Sequence, residues 1–385
     1  VRISLPGIYF HIPFCKKRCH YCDFVSYVVN DEEIDLYFNV LEKEMVIQAG
    51  QSHIRNIRFD SIYIGGGTPS LVPARFLCSL LDRVFELFYM EKCPRLEVSM
   101  ECNPDSLNLE MLLALKGKGL NRVSLGAQSM NERELEILGR VHGTSQILSA
   151  VQYIKRAGIE NFGMDIIYAI PGQDENTLAQ GLERLIALSP AHLSCYELCL
   201  EKGTSLEARV ARGEIEYPPQ ETRLALTRTV EDVMALYGYQ QYEISNFSKP
   251  GFECRHNCGY WMGVEYLGLG CSACSFLADK RMRNEPDLKR YMDSLDKGEL
   301  PVSATEELAP EERFREGVVM ALRMNQGIST EEFYNKYGID VLEYYGGLIP
   351  DMIEKGLLKF HEDGSRLALT RTGRYISNYV LSYFV

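Results

Sequence analysis

From Ile8 to about Cys199, short apolar runs of β character alternate with longer amphipathic stretches. The runs IYFHI from Ile8, DSIYIG from Asp60, RLEVSME from Arg95, RVSLGAQ from Arg122, GMDIIYA from Gly163 and HLSCYEL from His192 read as six strands. Apolar positions recur at helical spacing in the stretches that begin at Glu32, Pro73, Asn108 and Glu175. Strands alternating with helices predict parallel β/α units, hence fold class α/β, wound into a sheet or partial barrel. Loops after the strands of such a fold gather around one mouth, so functional side chains are expected at the strands' C-terminal ends.

Past a helical stretch around Gln220 to Leu236 the pattern changes to YQQYEISNF and a loop rich in Gly, Cys and aromatic residues through Phe276. From about Pro301 the chain reads as a compact unit, with helices near Pro310 to Met324, Thr330 to Tyr337 and Asp340 to Lys355. A hairpin turning at Asp363-Gly364 and a final helix follow. The expected division is a core over residues 1–240, a linking region over 241–300 and a C-terminal domain over 301–385. Helices followed by a hairpin resemble a winged helix, read either as a DNA-binding unit or as an accessory packing module. Residues 301–385 hold 9 basic and 13 acidic side chains, so they lack the cationic surplus that phosphate binding draws on. The accessory reading follows.

Charge over the whole chain, a formal −12, points the same way and excludes a globally basic nucleic-acid binder. No run of about 18 apolar residues occurs, and VRISLPGIYFHIPF lacks the pattern of a secretory signal, so a cytoplasmic protein is expected. In a reducing compartment the twelve cysteines are thiols or metal ligands rather than a disulfide framework.

Three of them, Cys15, Cys19 and Cys22, fall within CKKRCHYC directly after the first strand. Thiols at this spacing in one loop suit an iron-sulfur cluster that leaves one iron open. Zinc is the competitor, with His20 or a distant Cys as fourth ligand. The C-x3-C-x-aromatic-C pattern, with Tyr21 as the aromatic, resembles the radical S-adenosylmethionine superfamily. That resemblance implies a [4Fe-4S] cluster whose open iron is chelated by the amino and carboxylate groups of S-adenosylmethionine. Transfer of an electron then cleaves the sulfonium to a 5'-deoxyadenosyl radical. It also implies the fold, a partial (β/α)6 barrel with an α+β C-terminal region that includes the winged-helix-like module.

Further motifs fall where the pattern places function. IGGGTPS, with Gly65, Gly66, Gly67 and Thr68 after the second strand, is similar to the family's loop for the methionyl amino group, where glycines let backbone polar groups approach a ligand. Glu101 in ECNPDS, Gln128 in GAQS, Arg140 in LGRVHG and Asp165 in GMDII recur at or after successive strands. Carboxylates suit ribose hydroxyls and an ammonium, and Arg pairs with a carboxylate. By resemblance these four are S-adenosylmethionine contacts, together with Tyr9 and Tyr21 flanking the cluster and Cys199 after the sixth strand.

The order of motifs, from IYFHIPFC through GGGTPS, ECNPDS, GMDIIYAIPGQ and HNCGYW, is similar to the oxygen-independent coproporphyrinogen III oxidase group over nearly the whole chain. Its dehydrogenase branch carries a fourth Cys two positions beyond the motif and a long N-terminal extension. Here that position is Phe24, and 14 residues precede Cys15. Both departures favour the haem chaperone branch, with the dehydrogenase, which decarboxylates coproporphyrinogen propionates, as the alternative and a zinc-stabilised binding module as a remote third. In the chaperones HNxxYW is associated with haem. A neutral imidazole such as His256 is a good axial ligand, and Tyr260 and Trp261 could pack on the macrocycle. The partners implied are haem as cargo, an acceptor protein and a low-potential electron donor such as a flavodoxin or ferredoxin. Any membrane contact would be peripheral, through the acceptor. GCSACSF stands where relatives often read GPSAHSF, so Cys274 replaces a histidine. Cys254, Cys258, Cys271 and Cys274 are spaced for zinc or haem, or are small buried thiols.

Overall fold

The computed structural model describes residues 5–28, 30–90 and 96–385. Six strands, β1 (Gly7–Ile12), β2 (Ser61–Gly66), β3 (Glu97–Cys102), β4 (Arg122–Gln128), β5 (Asn161–Tyr168) and β6 (His192–Glu197), lie parallel and in sequence order. They match the six expected runs, although Arg95, where the third was expected to start, lies outside the described residues. Alternate residues explain why these segments form walls of a lumen. In β4, Val123, Leu125 and Ala127 join the apolar core beneath the helices, while Arg122, Ser124, Gly126 and Gln128 line a cavity.

Helices α1 (Asp31–Gly50), α2 (Ala74–Leu87), α3 (Leu109–Gly117), α4 (Glu132–Leu138), α5 (Thr144–Arg156) and α6 (Glu175–Ile186) connect the strands. Helix α1 starts at a reciprocal cap, with Glu33 N donating to Asn30 Oδ1 and Asn30 N to Glu33 Oε2, both at 3.0 Å. α4 and α5 have no counterpart among the expected helices. After α7 (Ser205–Ala211) and α8 (Gln220–Leu236), β7 (Gln240–Gln241) and β8 (Asn246–Ser248) add antiparallel strands beyond β6.

At the opposite edge, β9 (Tyr266–Leu269) pairs in parallel with β1. The strands β10 (Cys274–Leu277), β11 (Lys280–Asn284) and β12 (Val302–Glu307) continue the sheet antiparallel, to twelve strands in all. Residues 241–300, the expected linking region, contribute β8 to β11 to this sheet, which continues past residue 300 in β12. Between β8 and β9 lies α9 (Arg255–Trp261), which carries HNCGYW; α10 (Leu288–Asp296) lies between β11 and β12. Buried Glu44 of α1 fastens this extension. It accepts from Gly270 N at 2.8 Å, Asn284 Nδ2 at 2.6 Å and Tyr291 OH at 2.6 Å.

A separate apolar cluster around Phe314, Val318, Leu367 and Phe384 forms the core of the C-terminal unit. It contains α11 (Pro310–Leu322), α12 (Thr330–Tyr337) and a three-stranded sheet of β13 (Ile328–Ser329), β14 (Leu358–Phe360) and β15 (Arg366–Leu369). The turn of the β14–β15 hairpin falls at Asp363-Gly364, where Gly364 has φ +70°. The single helices expected after Asp340 and at the C-terminus are each broken in two, the first at Gly346-Gly347. Among the described residues no helix is long and apolar enough to cross a membrane.

Candidate functional site

The loop after β1 brings Cys15, Cys19 and Cys22 to one wall of a cavity of about 420 Å³, whose other walls are the strand ends. Among the described residues no three His, Cys, Asp or Glu groups meet in the way a single metal ion requires. A cubane takes its thiolates on separate irons and asks for thiols that ring a space. His20, the expected zinc partner, is turned away, with Nδ1 3.0 Å from Ile137 O.

The three glycines at the end of β2, Gly65 to Gly67, lie close against this loop and Glu101. A Cβ on Gly67 would stand 2.6 Å from Phe14 O and one on Gly65 3.0 Å from the Glu101 carboxylate, while Gly66 has φ +113°. Thr68 Oγ1 is 3.5 Å from Cys15 Sγ and accepts from Asn103 Nδ2 at 3.0 Å. Asn103 Oδ1 in turn accepts from Arg140 Nη2 at 2.7 Å, and Arg140 Nη1 reaches Cys19 Sγ at 3.4 Å. One polar chain therefore runs from Cys15 to Cys19 through Thr68, Asn103 and Arg140. Arg140 Nε is buried without a hydrogen-bond partner by geometry, and the guanidinium lies beside Tyr21.

Glu101 accepts from Tyr63 OH and Gly66 N, both at 3.0 Å. Burial pushes its carboxyl up to about 7, with the nearby Asp165 adding to the effect. Burial raises Asp165 as well, against hydrogen bonds that include Ser124 Oγ at 3.0 Å. Burial disfavours the charge on both carboxyls, and a positive charge beside them offsets that, so the pair favours a cationic ligand. Gln128 adopts φ +65° at a bulge in the β4–β5 pairing. A non-glycine residue there is strained, and Gln128 lines the cavity. Tyr21 lines the same cavity, and exposed Cys199 stands at its rim.

A second cavity, of about 410 Å³, opens on the other side of α9. Its walls are Tyr9 and His11 of β1, Tyr260 and Trp261 of α9, Tyr266, Cys274 and Phe276 of β9 and β10, and α11 and α12. Tyr9, expected beside the cluster, lines this cavity and not the one that the cysteines line. The C-terminal unit closes the far wall. Arg323 lies 4.6 Å over the Trp261 ring, and Lys336 Nζ donates to Met262 O and Gly263 O at 3.0 and 2.9 Å.

His256 lines neither of these cavities. Its Nδ1 is 2.9 Å from Ser61 Oγ and its Nε2 2.7 Å from Tyr260 OH, so both ring nitrogens are taken. Tyr63 stacks on the ring at 5.2 Å and Tyr260 meets it edge-on at 4.9 Å. Burial, and then the charge of Arg122, push its pKa down to about 3, which leaves a neutral imidazole. In this structure both ring nitrogens of His256, the expected axial ligand, face hydroxyls, one nitrogen donating and the other accepting.

Nor do the four later cysteines gather. Cys254 Sγ donates to Glu97 Oε1 at 3.6 Å, Cys271 Sγ to the carbonyls of Glu285 and Pro286 at 3.3 Å each, and Cys258 is buried in α9. Cys274 alone of the four lines the second cavity. Asn103, Tyr63, Ser124, Arg122 and Asn257 went unanticipated as cavity residues. Strand parity could have found Ser124 and Arg122, which share a face with Gln128, while Asn103 and Asn257 sit inside motifs already singled out.

The radical SAM superfamily model matches residues 9–185 and the HemN C-terminal domain model residues 308–376. Heme chaperone HemW of Bacillus subtilis is 33% identical over 384 residues, covering 99% of this chain and 99% of its own. Heme chaperone HemW of Lactococcus lactis is 35% identical, over 98% and 96%. The mitochondrial radical S-adenosyl methionine domain-containing protein 1 of Danio rerio is 32% identical, over 85% and 74%. The structure of coproporphyrinogen III oxidase (HemN) from Escherichia coli superposes with a TM-score of 0.86 over 99% of this chain and 90% of that one. At 22% identity that likeness is one of fold.

Proposed function

The chain belongs to the radical S-adenosylmethionine superfamily and, within it, to the HemW haem chaperones, and on that premise we propose that it binds haem and passes it to an acceptor protein. The observation that carries this reading is the second cavity: its wall is the Tyr260–Trp261 face of the HNxxYW helix, backed by further aromatic rings. A flat apolar macrocycle suits such walls. Cys274 supplies a sulfur donor on the same wall, and His256 serves as the post that fixes Tyr260 and the helix.

The first cavity fits the family's cofactors. Cys15, Cys19 and Cys22 would hold a [4Fe-4S] cluster. Gly66, Gly67, Thr68, Glu101, Gln128, Arg140 and Asp165, with Tyr21 and Cys199 at the rim, would hold S-adenosylmethionine. A cluster bound there supplies one low-potential electron to the sulfonium, and an electron donor protein is the partner this requires. Arg140 offsets negative charge at Cys19, and its guanidinium suits a carboxylate. Glu101 and Asp165 receive the positive end of the ligand.

The test is anaerobic reconstitution with iron and sulfide, followed by haem titration and an assay on coproporphyrinogen III. Cubane absorbance, a saturable Soret change and no protoporphyrinogen are expected. Sustained decarboxylation would replace this reading with the dehydrogenase, and zinc without iron would end both.

A further inference from the structure

Arg122 opens β4 and lines the first cavity at the end of the lumen away from the cysteine loop. It is 1% exposed and heads the fully buried side chains by volume. Its Nε has no hydrogen-bond partner, and among the described residues no ion pair reaches the guanidinium. The nearby carboxylates are committed elsewhere. Glu97 accepts from Arg255 N at 3.0 Å, His256 N at 3.2 Å and Cys254 Sγ at 3.6 Å, all at the start of α9. Glu101 is taken by Tyr63 and Gly66, and Asp165 by Ser124. A buried cation without a paired, hydrogen-bonded anion is costly.

Arg140 and Arg122 stand at different ends of the chamber. From Gln128 to Arg122 the strand descends six residues, about 20 Å of extended backbone, whereas Arg140 touches Cys19 at the mouth. A methionyl carboxylate held beside the cysteines and Arg140 leaves Arg122 unmet. We propose that the inner end of the first cavity is a carboxylate subsite, in which Arg122 receives the carboxylate arm of a second organic ligand sharing the chamber with S-adenosylmethionine. Asn257 of the HNxxYW helix lines the same space and supplies a polar neighbour. The inference rests on the reading of the mouth as the S-adenosylmethionine site.

The test uses the reconstituted full chain saturated with S-adenosylmethionine, with sodium propionate and propionamide as probes at matched ionic strength and melting temperature as readout. Propionate should raise the melting temperature and propionamide should not. Arg122→Met should melt close to the parent without propionate, since Arg122 Nε makes no hydrogen bond for the substitution to break. It should also bind propionate at least about ten-fold more weakly, the loss of a charge-assisted hydrogen bond. Arg122→Lys should retain a weakened response.

An equal response to both probes, or no response to either, overturns the subsite. So does an Arg122→Met variant that melts well below the parent and is rescued by Lys, which would make Arg122 a structural partner of Glu97. A propionate response that vanishes on adding S-adenosylmethionine would assign Arg122 to that ligand's own carboxylate and likewise overturn it. S-adenosylmethionine affinity is measured separately. If the parent binds none, the reading of the mouth fails, while the propionate response of parent and variants still decides the role of Arg122.

Discussion

His256→Ala separates a positioning imidazole from an axial ligand. The substitution leaves Ser61 Oγ and Tyr260 OH without their partners at 2.9 and 2.7 Å and removes the ring between Tyr63 and Tyr260. At about 1 kcal/mol or more for each buried polar group left unsatisfied, and about 2 kcal/mol for the lost packing, the total is about 4 kcal/mol. A chain of 385 residues loses roughly 1.2 °C per kcal/mol, so calorimetry should show a melting temperature lower by about 5 °C. Haem affinity, titrated at the Soret band, should fall in step as Tyr260 and α9 lose their fixed place. His256→Gln, which can bond both hydroxyls, should recover much of each. A His256→Ala variant that melts within about 2 °C of the parent yet loses haem would refute this reasoning and make the imidazole itself the ligand.

Cys274→Ser should leave the melting temperature nearly unchanged, because the side chain is only half-buried, while weakening haem binding and altering the Soret position; an unaltered spectrum would clear the thiol. Cys19→Ala should abolish cluster assembly, read as iron and sulfide content, and full content would remove Cys19 from the ligand set. For Glu101, the folded carboxyl at about 7 lies above its unfolded value, so the folded state holds the proton longer and stability falls as pH rises from about 4.5 through 7. The full penalty above that window is on the order of 3 kcal/mol. Glu101→Gln should therefore melt higher than the parent at pH 8, while binding S-adenosylmethionine more weakly; parallel melting curves from pH 5 to 8 would show that Glu101 is not the titrating group.

Much of this architecture is legible in the sequence because burial on both faces leaves a continuous signal. Strands such as β1 and β4 carry Ile8, Phe10 and Ile12, or Val123, Leu125 and Ala127, on the helix-covered face, and parallel strands are buried whatever their neighbours. The three cysteines, Gly66, Gly67 and Glu101 line one cavity, and their positions can be anticipated locally, since each lies at or just beyond the end of its own strand. Where side chains from distant segments meet, spacing says little. Cys254, Cys258, Cys271 and Cys274 look like a ligand set in one dimension, but α9 and the β9–β10 hairpin carry them to different surroundings.

The same cause explains Tyr9, His256 and the missed strands. β12 is exposed along its whole length and ends in Glu306 and Glu307, so no hydrophobic pattern announces it; it exists because β11 offers an edge. β9 is four residues long, and its pairing with β1 spans the whole parallel core in sequence. That pairing gives Tyr9 to a second cavity and sets α9 between the two. Asn257 then faces one chamber, Tyr260 and Trp261 face the other, and His256 is held between them on Ser61. A motif that reads as a list of ligands along the chain is, in space, a partition between two cavities, fastened at its first residue.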